Sequence, residues 1–141
     1  MTEAASYALT EQIGFLLRKA HQRHRLIFST EVANEIAPAQ FSALAKLYEI
    51  GSVWQNELGR LIALDSATVK GVVDRLVKGG LVRSSQSPDD ARLRIIELTD
   101  AGRTTIEPLF TVADRITQLT LEPLSEKEAA TLVRLLAKMS R

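Results

Sequence analysis

Three observations predict that this 141-residue chain is mainly α-helical and carries one small β-hairpin. Apolar residues recur at helical spacing toward both ends of the chain. Two short helical patterns follow one another closely between residues 55 and 78. After the pair Gly79 and Gly80, two short runs rich in branched residues flank a turn containing a proline.

Taken in order, LTEQIGFLLRKAHQRHRLIF (residues 9–28) places Ile13, Leu17, Ala20, His24 and Ile27 three or four positions apart, the stripe of an amphipathic helix. Pro38 suits the first turn of a second helix, where its missing N–H has no partner to lose. AQFSALAKLYEIG then supplies Phe41, Leu44, Leu47 and Tyr48 before Gly51 ends it. QNELGRLIAL is a brief third helix. Asp65 can cap SATVKGVVDRLVKGG, whose Val69, Val72, Val73 and Leu76 form an inner face before the two glycines stop it. LVRSS and LRIIEL are the hairpin strands around the proline turn. Thr99 or Asp100 caps a helix to about residue 120, bent at Pro108 because one backbone donor is missing there. Ser125 and Glu128 form a capping box for the last helix, with Leu132, Val133, Leu135 and Leu136 on its buried side.

Composition excludes several classes of function. With 25% charged residues and no apolar run near the ~18 residues that a membrane helix needs, nothing reads as a bilayer span. The polar start MTEAASYALTEQ lacks the blocks of a signal peptide, so a cytoplasmic protein is expected. Zero cysteines rule out disulfides and thiolate metal sites. His21 and His24, without a nearby third ligand, are a weak basis for zinc. No phosphate loop, metal-ligand cluster or nucleophile–base arrangement stands out, so neither an enzyme nor a cofactor is expected.

The net charge of +1 conceals a division. From Arg60 to Arg94 seven cations face four anions, whereas from Glu97 to Glu128 seven anions face three cations. The middle of the chain can attract phosphate and the following segment cannot.

Helix, helix, hairpin is the order of a winged helix-turn-helix, in which the second helix enters a DNA groove and the hairpin reaches beside it. The run NELGRLIALDSATVKGVVDRLVKGGLV, followed by Asp90, Arg92 and LTDAG, closely resembles the MarR family of bacterial transcription regulators over nearly the whole chain. The family's wing aspartate and arginine stand nine and seven places before the threonine of an LT pair, a spacing met by Asp90, Arg92 and Thr99. If positions 90 and 92 lie on a hairpin strand they point the same way, so the carboxylate can orient the guanidinium. A held arginine suits a narrow minor groove. The plainer reading is a solvated surface ion pair.

On the reading helix, Ser66, Thr68 and Lys70 are the expected outward groups for phosphates or base edges, with Arg75 and the wing residue Arg94 as further DNA contacts. Many relatives carry a cation where this chain has Gly71, so Lys70 is displaced by one position and Gly71 allows close backbone approach. Lys70, Asp74 and Lys78 read alternatively as surface pairs that stabilise the helix. Gln55 and Asn56 open the preceding helix and can anchor a phosphate. Trp54 stands where relatives often have a capping hydroxyl, and is read as interdomain packing or as a wall of an effector pocket.

The resemblance further implies an obligate homodimer built from residues 1–36 and 100–141, with 37–99 as the winged helix-turn-helix. It would read a near-palindromic double-stranded DNA operator. Family members commonly bind small aromatic acids between the dimer helices and the winged domain. QRHRLIF with TVKGVVDRL resembles the branch responding to aromatic or N-heteroaromatic carboxylic acids such as hydroxynicotinate. Arg18, His21, His24 and Trp54 are the effector candidates, with a hydrogen-bonded core histidine as the alternative for His24. The function expected is a dimeric repressor released by such an acid; the alternative is a winged-helix module that binds protein and not DNA. A wing without arginine would favour the second, and Arg92 and Arg94 are present.

Overall fold

The structure, a computed structural model, describes residues 3–141. Met1 and Thr2, where the expected 1–36 dimerisation segment begins, lie outside the described residues. The elements run α1 (Ile13–Glu31), α2 (Pro38–Ile50), β1 (Ser52–Trp54), α3 (Gln55–Leu61), α4 (Ser66–Lys78), β2 (Val82–Gln86), β3 (Arg94–Leu98), α5 (Asp100–Ile106), α6 (Leu109–Leu121) and α7 (Glu126–Met139). A 3-10 turn at Leu9–Glu11 precedes α1, so the apolar stripe starting near residue 9 is not one continuous α-helix.

Helix ends follow local chemistry. The Asp65 carboxylate accepts from the Thr68 amide at 2.7 Å and starts α4. Thr99 Oγ1 accepts from the Gly102 amide at 3.1 Å and starts α5. Ser125 and Glu128 satisfy each other's amides at 3.1 and 2.9 Å, the reciprocal box expected for α7. Pro38 is the first residue of α2, and Gly51 closes it at φ 91°.

Two compact units are present: Met1–Glu31 with Ala113–Arg141, and Val32–Val112. In the second, the core is formed by Ala43, Leu44 and Leu47 of α2, Leu58 of α3, Val82 and Ile96 of the sheet, Ile106 of α5, and all four expected inner residues of α4. Phe41 and Tyr48 are only half-buried and meet Phe110 edge to face, with ring centroids 6.4 and 5.1 Å away. Between α3 and α4 the Leu64 amide donates to the Gly59 carbonyl at 2.8 Å and the Ala63 amide to Arg60 at 3.3 Å, while Ala63 sits at φ 61°. This paired turn brings α4 onto α3. A Cβ at Gly59 would lie 3.0 Å from Val69 Cγ1, so the absence of a side chain permits that approach.

Two expectations change here, and a third is met. The hairpin is part of a three-stranded antiparallel sheet ordered β1-β3-β2, because Val53 pairs with Ile96 on the edge of β3 that β2 leaves open. The helix expected across 100–120 is interrupted at Glu107 and Pro108, which separate α5 from α6. The apolar faces of α1 and α7 stay exposed on the single chain, as the expected dimer requires: Ile13, Leu17, Leu132, Val133, Leu135 and Leu136 are all exposed, and α7 has no buried residue.

In the other unit, α1 holds the end of α6 by polar contacts. Arg23 donates to the carbonyls of Thr120 at 2.6 Å and Leu119 at 3.0 Å, a cation at a helix C-terminus. Arg115 pairs with Glu31 at 2.8 Å. Among the described residues no helix is long and apolar enough to cross a membrane.

Candidate nucleic-acid interface

The tip between β2 and β3 is ordered by its own side chains. The Ser87 amide donates to the Leu93 carbonyl at 2.9 Å, and the Leu93 amide to the Asp90 carbonyl at 3.0 Å. Asp90 Oδ1 accepts from the Arg92 amide at 3.0 Å, an aspartate-centred turn. Asp90 and Arg92 thus meet through turn geometry and not through strand alternation, since β3 begins only at Arg94. The guanidinium then docks edge-on: Nε lies 3.1 Å from Oδ1 and Nη2 2.9 Å from Oδ2. The Arg92 side chain and then the Arg92 amide hold the Asp90 carboxyl below its ordinary range, and the same contact raises Arg92. The Arg92 side chain nevertheless remains 90% exposed. It is a cation oriented at the surface and left open to a partner.

Arg94, at the start of β3, donates through Nε to Ser84 Oγ of β2 at 3.0 Å. Ser84 is the positioning group that sequence reasoning missed. An open groove of about 450 Å³ runs between α4 and the sheet, lined by Gln55, Lys70, Asp74, Ser84 and Arg94 among others. A smaller cavity of about 200 Å³ adjoins Trp54, Asn56, Arg92 and Arg94. Five nominated cations and amides, Gln55, Asn56, Lys70, Arg92 and Arg94, from α3, α4 and the wing, border these two features, which share Gln55 and Arg94.

On α4, Ser66, Thr68, Lys70 and Arg75 are exposed. Asp65 is held below the usual carboxylate range mainly by the Thr68 amide. Lys70 pairs with Asp74 at 2.8 Å, the i, i+4 surface contact weighed from the sequence, and both side chains stay exposed. Gly71 has open space where a Cβ would stand, the nearest atom being Arg75 Nη1 at 3.9 Å. Gln55 is half-buried and Asn56 exposed in the first turn of α3. Trp54 precedes them without a side-chain cap, and its ring is half exposed.

The effector candidates on α1 fall in the other unit. Arg18 and His21 are exposed, and His24 is half-buried with Nδ1 2.9 Å from Thr120 Oγ1. Burial, and next the neighbouring His21, lower the His24 pKa. Among the described residues no group of histidines and acids is arranged to hold a metal.

Residues 36–93 match the family model described as MarR family. The chain is similar to the HTH-type transcriptional repressor NicR of Pseudomonas putida, 38% identical over 134 residues that cover 94% of this chain and 85% of the relative. It is also similar to the crystal structure of a probable transcriptional regulator from Pseudomonas aeruginosa, with 46% identity, a TM-score of 0.88, and 94% and 99% of the two chains covered. The structure of Bordetella bronchiseptica BpsR, whose DNA binding is regulated by 6-hydroxynicotinic acid, superposes with a TM-score of 0.90 at 38% identity, covering 95% of this chain and 96% of that one.

Proposed function

This chain belongs to the MarR family, and from that premise we propose that it is a dimeric, DNA-binding transcriptional repressor released from a near-palindromic operator by a small aromatic or N-heteroaromatic acid. The observation that carries the DNA reading is the oriented, exposed Arg92 on a wing that follows α3 and α4. A held guanidinium fits a narrow minor groove of high negative potential, while the hydroxyls and lysine of α4 fit the adjacent major groove. In this reading Gln55, Asn56, Ser66, Thr68, Lys70, Arg75 and Arg94 supply the remaining contacts, with Gly71 allowing close approach. The repressor NicR and the regulated DNA binding of BpsR support DNA as the partner, over a module that binds protein alone. The relatives are transcriptional regulators, which supports a role without catalytic turnover, in the cytoplasm where the DNA lies.

The dimer is supported by the uncovered apolar faces of α1 and α7, which a monomer would leave in water. Residues 1–36 and 100–141 form its dimerisation segments in this reading, and 37–99 the reading domain. Two-fold symmetry then sets half-sites about one turn apart, roughly 10 base pairs. The acid class is supported by BpsR, and Arg18, His21 and His24 are the groups of α1 suited to a carboxylate and a ring substituent.

Fluorescence anisotropy with DNA from beside the protein's own gene tests the reading. Arg92→Ala is expected to weaken specific binding on the order of ten- to a hundredfold and to flatten its salt dependence, with the dimer retained. Parental affinity of that variant at several salt concentrations would overturn the wing assignment.

A further inference from the structure

The cavity of about 200 Å³ at the foot of the wing brings together three kinds of side chain. Arg92 and Arg94 supply cations, Asn56 a neutral amide, and Trp54 an aromatic ring with the half-buried Leu93 beside it. All of them belong to the unit of residues 32–112, so one folded body sets the walls. The backbone of Trp54 is held from two sides: it pairs with Ile95 of β3, one position from Arg94, and at φ −67° and ψ 144° it is the extended residue from which α3 starts. This is an unfavourable place for an indole. Its side chain gives α3 no cap, which a serine, threonine or aspartate at 54 would supply, and the ring of the chain's only tryptophan stays 51% exposed. A missing cap and a large ring left in water both work against stability, and such a breach of local rules points to a partner that covers the ring.

Arg92, on the same cavity, identifies that partner. The minor groove is only about 6 Å wide, so a guanidinium within it stands between two sugar–phosphate walls. A side chain that shares a cavity with that guanidinium therefore meets a wall and not a base edge. The wall offers phosphate oxygens, which the arginines and the Asn56 amide suit, and the carbon face of a deoxyribose, which an apolar ring suits. We infer, on the DNA reading above, that the Trp54 ring packs against a deoxyribose of the strand bordering the minor groove that Arg92 enters, in place of packing between units or lining an effector pocket. An uncharged ring displaces no counterions, and every nucleotide of the duplex carries the same sugar. Trp54 thus strengthens DNA binding without changing its salt dependence or its sequence preference, which separates its effect from that of Arg92.

The sole tryptophan reports on itself. Acrylamide quenching of the full-length protein is compared without DNA, with a duplex from beside the protein's own gene, and with a scrambled duplex of the same length. Both duplexes are expected to shield the indole from the quencher. In fluorescence anisotropy, Trp54→Ala is expected to weaken both duplexes by the same factor, on the order of tenfold, at an unchanged salt slope. Trp54→Phe, which keeps an aromatic face, should retain most of the affinity. Parental affinity in Trp54→Ala, or an indole as open to acrylamide on DNA as off it, overturns the inference, and the quenching of the parent decides even where Trp54→Ala does not fold. A parent that binds neither duplex overturns the DNA reading and the role of Trp54 with it, whereas a parent that binds with its indole open overturns the role of Trp54 alone.

Discussion

Arg92 lies edge-on to Asp90, with Nε and Nη2 at 3.1 and 2.9 Å from the two carboxylate oxygens and its own amide at 3.0 Å from one of them. Asp90→Asn retains an oxygen for the amide but gives up the paired charge, so operator affinity is expected to fall severalfold, less than for Arg92→Ala. The pH dependence has a definite sign. A carboxyl held below its ordinary value contributes fully above that value, about 3.9, and loses the contribution as pH falls through its lower folded value. The Arg92 Nε–H resonance is therefore expected to stay constant from about pH 8 to pH 5 and to broaden only in acid; a transition near neutrality would contradict the assignment.

Gly102 and Gly71 are expected to respond oppositely to alanine. The carbonyl of Leu81 occupies the space a Cβ at Gly102 would need, and Thr99 binds both that carbonyl, through its amide at 3.1 Å, and the Gly102 amide. Gly102→Ala must displace the junction between β3 and α5, at a cost of roughly 1 to 3 kcal/mol in urea unfolding. Gly71→Ala meets open space and gains about 0.5 to 1 kcal/mol of helix stability. The same variant is expected to bind operator more weakly, so a rise in both stability and affinity would remove the backbone of residue 71 from the interface.

Ala63 occupies the left-handed position of the turn between α3 and α4, where a side chain is strained. Ala63→Gly is expected to raise stability by up to about 1 kcal/mol, seen as a higher urea midpoint at unchanged slope.

His24 supplies a test of the other unit. Its pKa is lowered by burial and then by His21, so the unfolded chain takes up its proton at a higher pH than the folded one. The stabilising contribution is complete above the ordinary histidine value, about 6.5, and declines as pH falls toward the lower folded value. Between about pH 7.5 and pH 5.5 the parent is therefore expected to lose more in melting temperature than His24→Gln. Equal losses would mean that His24 titrates alike in both states.

Much of this protein was legible because the relevant chemistry is short-range. Asp65 finds the amide of Thr68, and Ser125 that of Glu128, three positions away. Val69, Val72, Val73 and Leu76 share one helical face whatever surrounds it, and all are buried. Asp90 and Arg92 meet because a turn two residues long cannot keep them apart, so the pairing was foreseen even though the strand geometry invoked for it was not what formed.

Other features arise only when distant segments meet. Ser52–Trp54 is too short to show a period of its own and becomes a strand because β3 offers it an unpaired edge. Ser84 steadies Arg94 because the β2–β3 register sets Ser84 opposite Ile96, making residue 94 its diagonal neighbour. The stripe on α1 marks a face that water should not keep, and among the described residues none covers Ile13 or Leu17, since periodicity specifies which face is apolar and not what meets it. The contact of His24 with Thr120 is far removed from local sequence. It joins the ring to a hydroxyl 96 positions away, itself donating to the Ile116 carbonyl, and only packing α1 against the end of α6 brings those groups within reach.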